Sequence, residues 1–435
     1  WDRKPLGLFV LFAAIRLLPG NGFLAAQMVA TAFAAATAFL IALFMRRWVG
    51  WVPATMAGMF YLAQLNILWG DTTQTPVFYD LLVMAAAMLT LRASDTANER
   101  VRAGSGVAAM ALIGLAIQIK TNAVFQGGFF GAWLIWSVWR ETRDPTRILR
   151  LAVPMVLAAA LPTLAAMLSY AALGHFDAWW QANVLSVIAK GRPTDPAAID
   201  NLATSVILTL PALVVALLGL WARTERFQVW GQETLFILGW IAFGLVDFAA
   251  IGGYFPHYAI PLVLACCPLI AHAFAIPRFG KALFATVMAW PLFYAVVVAP
   301  KIGAIERVYA ANVVAALPSD VTTRCLFIYE GPVAYYQLSN ACRVTRFAFT
   351  AHLSSTREAH ALGVDQAQAL RDALARRPGT IITIAHSIWT DRNPAMERLL
   401  SATLARDYHS TAGLPHRVYT GGRDQLVIWR RNAGR

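Results

Sequence analysis

The chain has 435 residues, 58% of them hydrophobic and 14% charged, with a formal net charge of +13 at pH 7. A mean hydropathy of +0.56 is too apolar for a soluble globule of this length and excludes that class. The cations nowhere form a run interleaved with aromatics, so no nucleic-acid partner is expected and membrane lipids are.

The first residues, Trp1-Asp2-Arg3-Lys4-Pro5-Leu6-Gly7, form a charged hinge that runs into the apolar segment Leu6–Leu18. No Met precedes it, and the expectation is of a protein whose beginning lies upstream. Arg3 and Lys4 stand where an apolar helix meets water, a place that suits an interfacial anchor as well as a contact to a lipid phosphate. Apolar stretches then follow at 23–45, 51–69, 77–92, 106–119, 123–139, 150–172, 202–221, 233–251, 258–275 and 281–299. Crossing a bilayer takes about 20 apolar residues, so 77–92 and 106–119 are short and leave room for a broken or re-entrant pair. The expectation is a mainly α, polytopic transmembrane helical bundle of about ten spans over 23–300, with a small C-terminal α/β domain over 301–435.

The loops carry a sign. Arg46–Arg47, Arg92–Arg102, Arg140–Arg150, Arg223–Arg226 and Arg278–Lys281 fall at every second connection, and Gly70–Pro76, Gly174–Asn201 and Gly252–His257 between them have few cations. The bias of Lys and Arg toward the cytoplasm puts the first set inside, and the second set, the N-terminal segment and the tail outside. In the tail, Cys325–Glu330, Thr380–His386 and Gln425–Trp429 read as strands, and Tyr335–Leu338 as strand-like. Asp365 with Gln368 opens one helix that Pro378 ends, and Asn393-Pro394 opens another through about Tyr408. Cys325 and Cys342 flank strand-like segments in a compartment that permits a disulfide; two free thiols fit the sequence nearly as well, and the bridge is the expectation carried forward. Cys266 and Cys267 lie inside a span as small core residues.

The tail has no Gly-rich phosphate loop, nucleophile elbow or paired Cys/His metal spacing, so candidate chemistry lies in the outward loops. Asp71, within Gly70-Asp71-Thr72-Thr73-Gln74-Thr75-Pro76, suits a base or a cation ligand, and equally a helix-capping turn. His257 and Tyr258 stand at the mouth of a span, where an aromatic anchor competes with a binding role. Lys120 breaks the apolar run Leu112–Ile119 at an outer end, either snorkelling to the surface or binding a lipid phosphate. His175, Trp179, Trp180 and Asn183 form an amphipathic segment suited to lying along a membrane surface.

Together these residues carry a resemblance. Asp2-Arg3-Lys4-Pro5-Leu6, Gly114–Thr121, Phe255-Pro256-His257-Tyr258, Tyr335-Tyr336-Gln337-Leu338 and Thr345-Arg346-Phe347 resemble motifs of the GT-C class of membrane glycosyltransferases. The likeness is to the family 39 group, which includes protein O-mannosyltransferases and the aminoarabinose transferases acting on lipid A. It implies transfer of a sugar from a polyprenyl-phosphate donor to an acceptor glycan, lipid or protein on the outer face of the inner membrane. It also implies a first helix and a catalytic Asp loop upstream of the Lys-Pro segment, which makes 1–22 the end of an outer loop and an interfacial helix. Asp2 is too close to Lys4 to take that Asp's role, and the chain as given is expected to be inactive without its missing part. Arg3, Lys4 and Lys120 are then expected to meet the donor phosphate, with Asp71, His257 and Tyr258 serving the acceptor or a cation. No metal-ligand spacing stands out, though the chemistry leaves room for a divalent cation. A lipid-linked-sugar transporter or flippase, which would more often show an internal repeat, and a catalytically degenerate assembly subunit are the competing classes.

Overall fold

A computed structural model describes residues 3–190, 196–227, 231–386, 391–417 and 423–433. Trp1 and Asp2, which open the Lys-Pro motif, lie outside the described residues. The chain divides into two compact units, one of Lys4–Gly174 and Ala198–Val298, the other of Trp1–Arg3, His175–Ala197 and Ala299–Arg435.

The first unit is a helical bundle. Its elements are α1 (Leu6–Arg16), α2 (Gly22–Val49), α3 (Trp51–Ile67), α4 (Thr75–Ser94), α5 (Glu99–Ile119), α6 (Ala123–Thr142) and α7 (Pro145–Ala172). The chain leaves the bundle through the short α8 (Phe176–Trp180) and α9 (Ser186–Ala189) of the second unit. It returns with α10 (Pro196–Phe227), α11 (Gln232–Ile251), α12 (Ile260–Phe274) and α13 (Phe279–Phe293). Every residue of α12 is buried, and α12 packs against α2, α3, α4, α11 and α13. Gly219 of α10 also lets that helix lie close against α12, because a side chain there would collide with the Leu269 carbonyl.

Each predicted apolar stretch is helical over most of its length, and among the described residues eight helical segments are long and apolar enough to cross a membrane. Two of the ten expected stretches, those of α3 and α6, fall outside that set. Helix α3 has 17 residues, about 26 Å at 1.5 Å per residue against a hydrocarbon core of about 30 Å. Helix α6 dilutes its apolar residues with Gln126, Gly127, Gly128 and Gly131. The short stretches 77–92 and 106–119 are not a broken pair. They are the apolar parts of unbroken helices of 20 and 21 residues, extended by Thr75-Pro76 in the first turn of α4 and by the polar turn Glu99–Arg102 in α5. Asn98 caps α5 by accepting from the backbone N–H of Arg100 at 3.0 Å.

The second unit holds α14 (Ala299–Ala316), β1 (Leu326–Ile328), α15 (Ala334–Leu338), α16 (Ala351–Ser354), α17 (Gln366–Ala375), β2 (Thr380–Ile384), α18 (Pro394–Asp407), β3 (Tyr408–Arg417) and β4 (Arg423–Arg431). The sheet order is β1-β2-β4-β3, with β1 parallel to β2 and the other pairs antiparallel. Alternation along β1 separates two cores. Phe327 and Tyr329 join Leu370, Leu374, Leu400 and Leu404 under α17 and α18. Leu326 and Ile328 join Val313 of α14 and Leu317 just after it with Ile382, Leu426 and Ile428.

The three expected strands are present, and the expected bridge between Cys325 and Cys342 is formed. Strand β3 was not expected: Gly413 and Pro415 interrupt its alternation, and its ladder with β4 supplies the order the local pattern lacks. Tyr335–Leu338 is corrected from strand-like to helix α15, in which the Tyr336 hydroxyl accepts from the Ile328 backbone N–H at 2.9 Å.

Candidate functional site

Lys120 is the first residue past the span of α5, in extended backbone at φ −153°. The turn from Lys120 to Ala123 then starts α6. The side chain is 8% exposed, and its Nζ lies 4.2 Å from the centre of the Tyr258 ring. A buried cation over an aromatic face gains about 2 kcal/mol. Tyr258 belongs to the tight turn Pro256–Ala259 that leads into α12, with proline at its first position. The His257 ring meets Tyr258 edge-on at 4.4 Å, and Phe255 stacks on His257 at 5.9 Å. His257 Nδ1 is buried with no hydrogen-bond partner among the described residues.

The loop bearing Asp71 reaches the same place, because Trp69 packs on Phe255 at 6.2 Å. Asp71 is exposed within the single turn Gly70–Thr72, bracketed by Trp69 and Thr73 in left-handed backbone at φ 61° and 60°. A β-branched Thr there is strained, which marks a sharply folded turn rather than a frayed helix end. Lys4 arrives from the N-terminal side. Pro5 is buried and opens α1, and Gly7 sits so close to α5 that a Cβ would come 2.6 Å from Gln118 Cβ. This close approach brings the Lys4 charge within electrostatic reach of Lys120. Burial pushes the Lys120 ammonium down to about 7, Lys4 pushes the same way, and Asp247 and Asp80 oppose it.

Lys120, His257 and Tyr258 therefore meet, with the Asp71 loop and Lys4 alongside. Arg3 belongs to the other unit, where its guanidinium forms a two-pronged pair with Glu358, through Nη1 to Oε1 at 3.0 Å and Nη2 to Oε2. Lys190 adds a second cation 3.4 Å from Glu358 Oε1. Burial alone would raise the Glu358 carboxyl, but the bond from Arg3 and the charge of Lys190 outweigh it and hold the carboxyl below its usual range. Arg3 thus has a carboxylate as its partner.

Two carboxylates not singled out in the sequence complete the site's surroundings. Asp247 of α11 is buried and accepts from Asn122 Nδ2 at 2.8 Å, which ties it to the turn carrying Lys120. Asp80 of α4 is buried and accepts from the Tyr61 hydroxyl at 2.9 Å. Their signal was legible, since an acid inside an apolar span is a functional candidate by default. Among the described residues no group of three or more His, Cys, Asp or Glu could hold a metal ion.

No protein-family model and no curated protein matches the chain. Solved structures do. ArnT from Cupriavidus metallidurans in the apo state superposes with a TM-score of 0.62 at 16% identity, covering 100% of this chain and 88% of that one. The same protein bound to undecaprenyl phosphate gives a TM-score of 0.56 at 14% identity, covering 99% and 88%. The fold is that of ArnT. Identities this low establish architecture only, and the architecture is the one the GT-C motifs implied: a multi-pass membrane bundle carrying a small α/β unit, as in ArnT.

Proposed function

We propose that this chain is a membrane glycosyltransferase that moves a sugar from a polyprenyl-phosphate carrier to an acceptor hydroxyl. The observation that carries the reading is the buried Lys120 ammonium, seated on Tyr258 beside the charge of Lys4 at the end of an apolar bundle. A buried cation within reach of a second positive charge is unfavourable when empty, and a phosphate between the two relieves it. The ArnT fold, seen in one structure with undecaprenyl phosphate bound to ArnT, supports the same donor class.

In this reading Lys4 and Lys120 stabilise the charge that grows on the leaving phosphate as an acceptor oxygen attacks the anomeric carbon. In a site poor in water that electrostatic contribution is large. Asp247 and Asp80 oppose the loss of the Lys120 charge, and Asn122 fixes Asp247 against the turn. Asp71 is placed to take the acceptor proton or to orient the acceptor. The open Nδ1 of His257 suits a hydrogen bond to an acceptor hydroxyl on a lipid, glycan or protein. Arg3, already paired with Glu358, contributes less to the phosphate than Lys4. The site lies on the outer face of the inner membrane, with the α/β unit periplasmic.

The test is transfer from a polyprenyl-phosphate sugar by the natural gene product. Lys4→Ala should raise the barrier by about 2–4 kcal/mol, as loss of an oxyanion donor does, while expression and membrane insertion stay unchanged. Lys4→Arg should keep partial activity, because it keeps charge and changes shape. Full transfer by Lys4→Ala would reduce Lys4 to an interfacial anchor and remove the proposed mechanism.

A further inference from the structure

At the opposite end of α5 from Lys120, about 30 Å away along the helix, a cavity of about 700 Å³ opens between the ends of α2 and α4 and the first turn of α5. Its apolar wall is Leu43 and Phe44 of α2 with Met88 and Leu89 of α4. Above that wall stand Arg47 and Arg92, each in the last turn of its helix, and Asp95. Apolar residues inside the spans and guanidiniums at their ends are the layering of the boundary between acyl chains and headgroups.

Arg47 is held in place by aromatic contact rather than by an ion pair. Arg47 stacks on Trp48, 3.9 Å from the ring centre. Neither Arg47 nor Arg92 forms an ion pair among the described residues, whereas Arg102, Arg147 and Arg223 each pair with a glutamate. The floor is rigid, since Arg102 donates to the Thr96 carbonyl at 2.7 Å and to the Ala93 carbonyl at 3.3 Å. Two guanidiniums less the Asp95 carboxylate leave one positive charge, which matches the single negative charge of a phosphodiester.

We propose that this cavity binds an anionic phospholipid, with its phosphate between Arg47 and Arg92 and an acyl chain along Leu43, Phe44, Met88 and Leu89. A free phosphate would use the arginines and leave the apolar wall idle. A zwitterionic lipid would bring a second cation to a site already net positive. The site is separate from the proposed donor site, so its test does not depend on transferase activity.

The experiment titrates the detergent-purified protein with phosphatidylglycerol, phosphatidylcholine and inorganic phosphate, reading thermal unfolding and equilibrium binding. Phosphatidylglycerol should raise Tm, and the other two should not. Replacing both arginines (Arg47→Gln with Arg92→Gln) should weaken phosphatidylglycerol binding about thirtyfold, at roughly fivefold for each cation lost at a lipid surface. Val101→Trp, which fills the cavity from α5, should block binding with both arginines present and decides the matter if the double variant does not fold. Arg100→Gln, an exposed arginine outside the lining, should bind like the parent. Undiminished phosphatidylglycerol binding by Val101→Trp overturns the site, and an equal response to inorganic phosphate overturns its assignment to a lipid.

Discussion

Lys120 shows how a single residue was half legible in sequence. A lysine ending an apolar run announces itself, but the choice between snorkelling and binding rests on contacts that no local pattern encodes. Those contacts are the Tyr258 ring from a segment more than a hundred residues away and the Asp247 tied to Asn122. Its ammonium, held near 7 by burial, gives the site a pH signature with a definite sign. Protonation is complete below that value and is lost as pH rises through it. Donor-lipid affinity should therefore be flat on the acid side and fall by up to about tenfold per pH unit above 7, until the pKa of the phosphate-bound state is reached. Lys120→Arg keeps its charge throughout and should flatten the profile, which isothermal titration with the donor lipid at several pH values would reveal. An unchanged slope in Lys120→Arg would assign the titration to another group. Arg3 shows the opposite lesson. Its place beside Lys4 in sequence suggested a shared role, and its carboxylate partner Glu358 lies 355 residues away, where no local pattern points.

At the scale of elements, caps located the tail helices well, because Asp365 and Asn393 each bond the N–H groups they were suited to cap, whereas the Asn98 cap of α5 went unread. Elements whose order comes from partners were less legible, as with β3, which pairs along β4 despite Gly413 and Pro415. The disulfide from Cys325 to Cys342 ties the start of β1 to the turn after α15, where Leu326 N–H also bonds the Cys342 carbonyl at 3.0 Å. Closing 17 residues of chain should stabilise this unit by about 3 kcal/mol in the loop-entropy account. Cys325→Ser with Cys342→Ser should lower its unfolding midpoint in guanidinium, followed by protease susceptibility. Labelling of the unreduced, denatured parent should modify Cys266 and Cys267 alone, and modification of all four cysteines would refute the bridge.

For the whole molecule, the alternation of arginine-rich and arginine-poor loops predicts which ends share a side, and the bundle unit agrees internally. The Asp71 loop, Lys120 and the turn of His257 meet one another, while Arg47 and Arg92 line a common cavity at the other end. The charge bias makes a prediction about orientation in the membrane. An alkaline phosphatase fused after residue 435 should be active and a fluorescent protein that matures only in the cytoplasm should be dark. The reverse pattern would turn the proposed site toward the cytoplasm.

The complete burial of α12 sets an unusual demand on biogenesis. This helix must enter the bilayer as a lipid-solvated segment and later exchange every lipid neighbour for protein, so it answers to two solvents in succession. Its leucines and valines serve the first. The second is served by residues that gain nothing from lipid, such as His272, which meets Arg223 Nη1 at 2.7 Å, and Cys267, which bonds the Val263 carbonyl. A substitution there can leave insertion untouched and still prevent closure of the bundle, because the cost falls on packing volume, as in a water-soluble core.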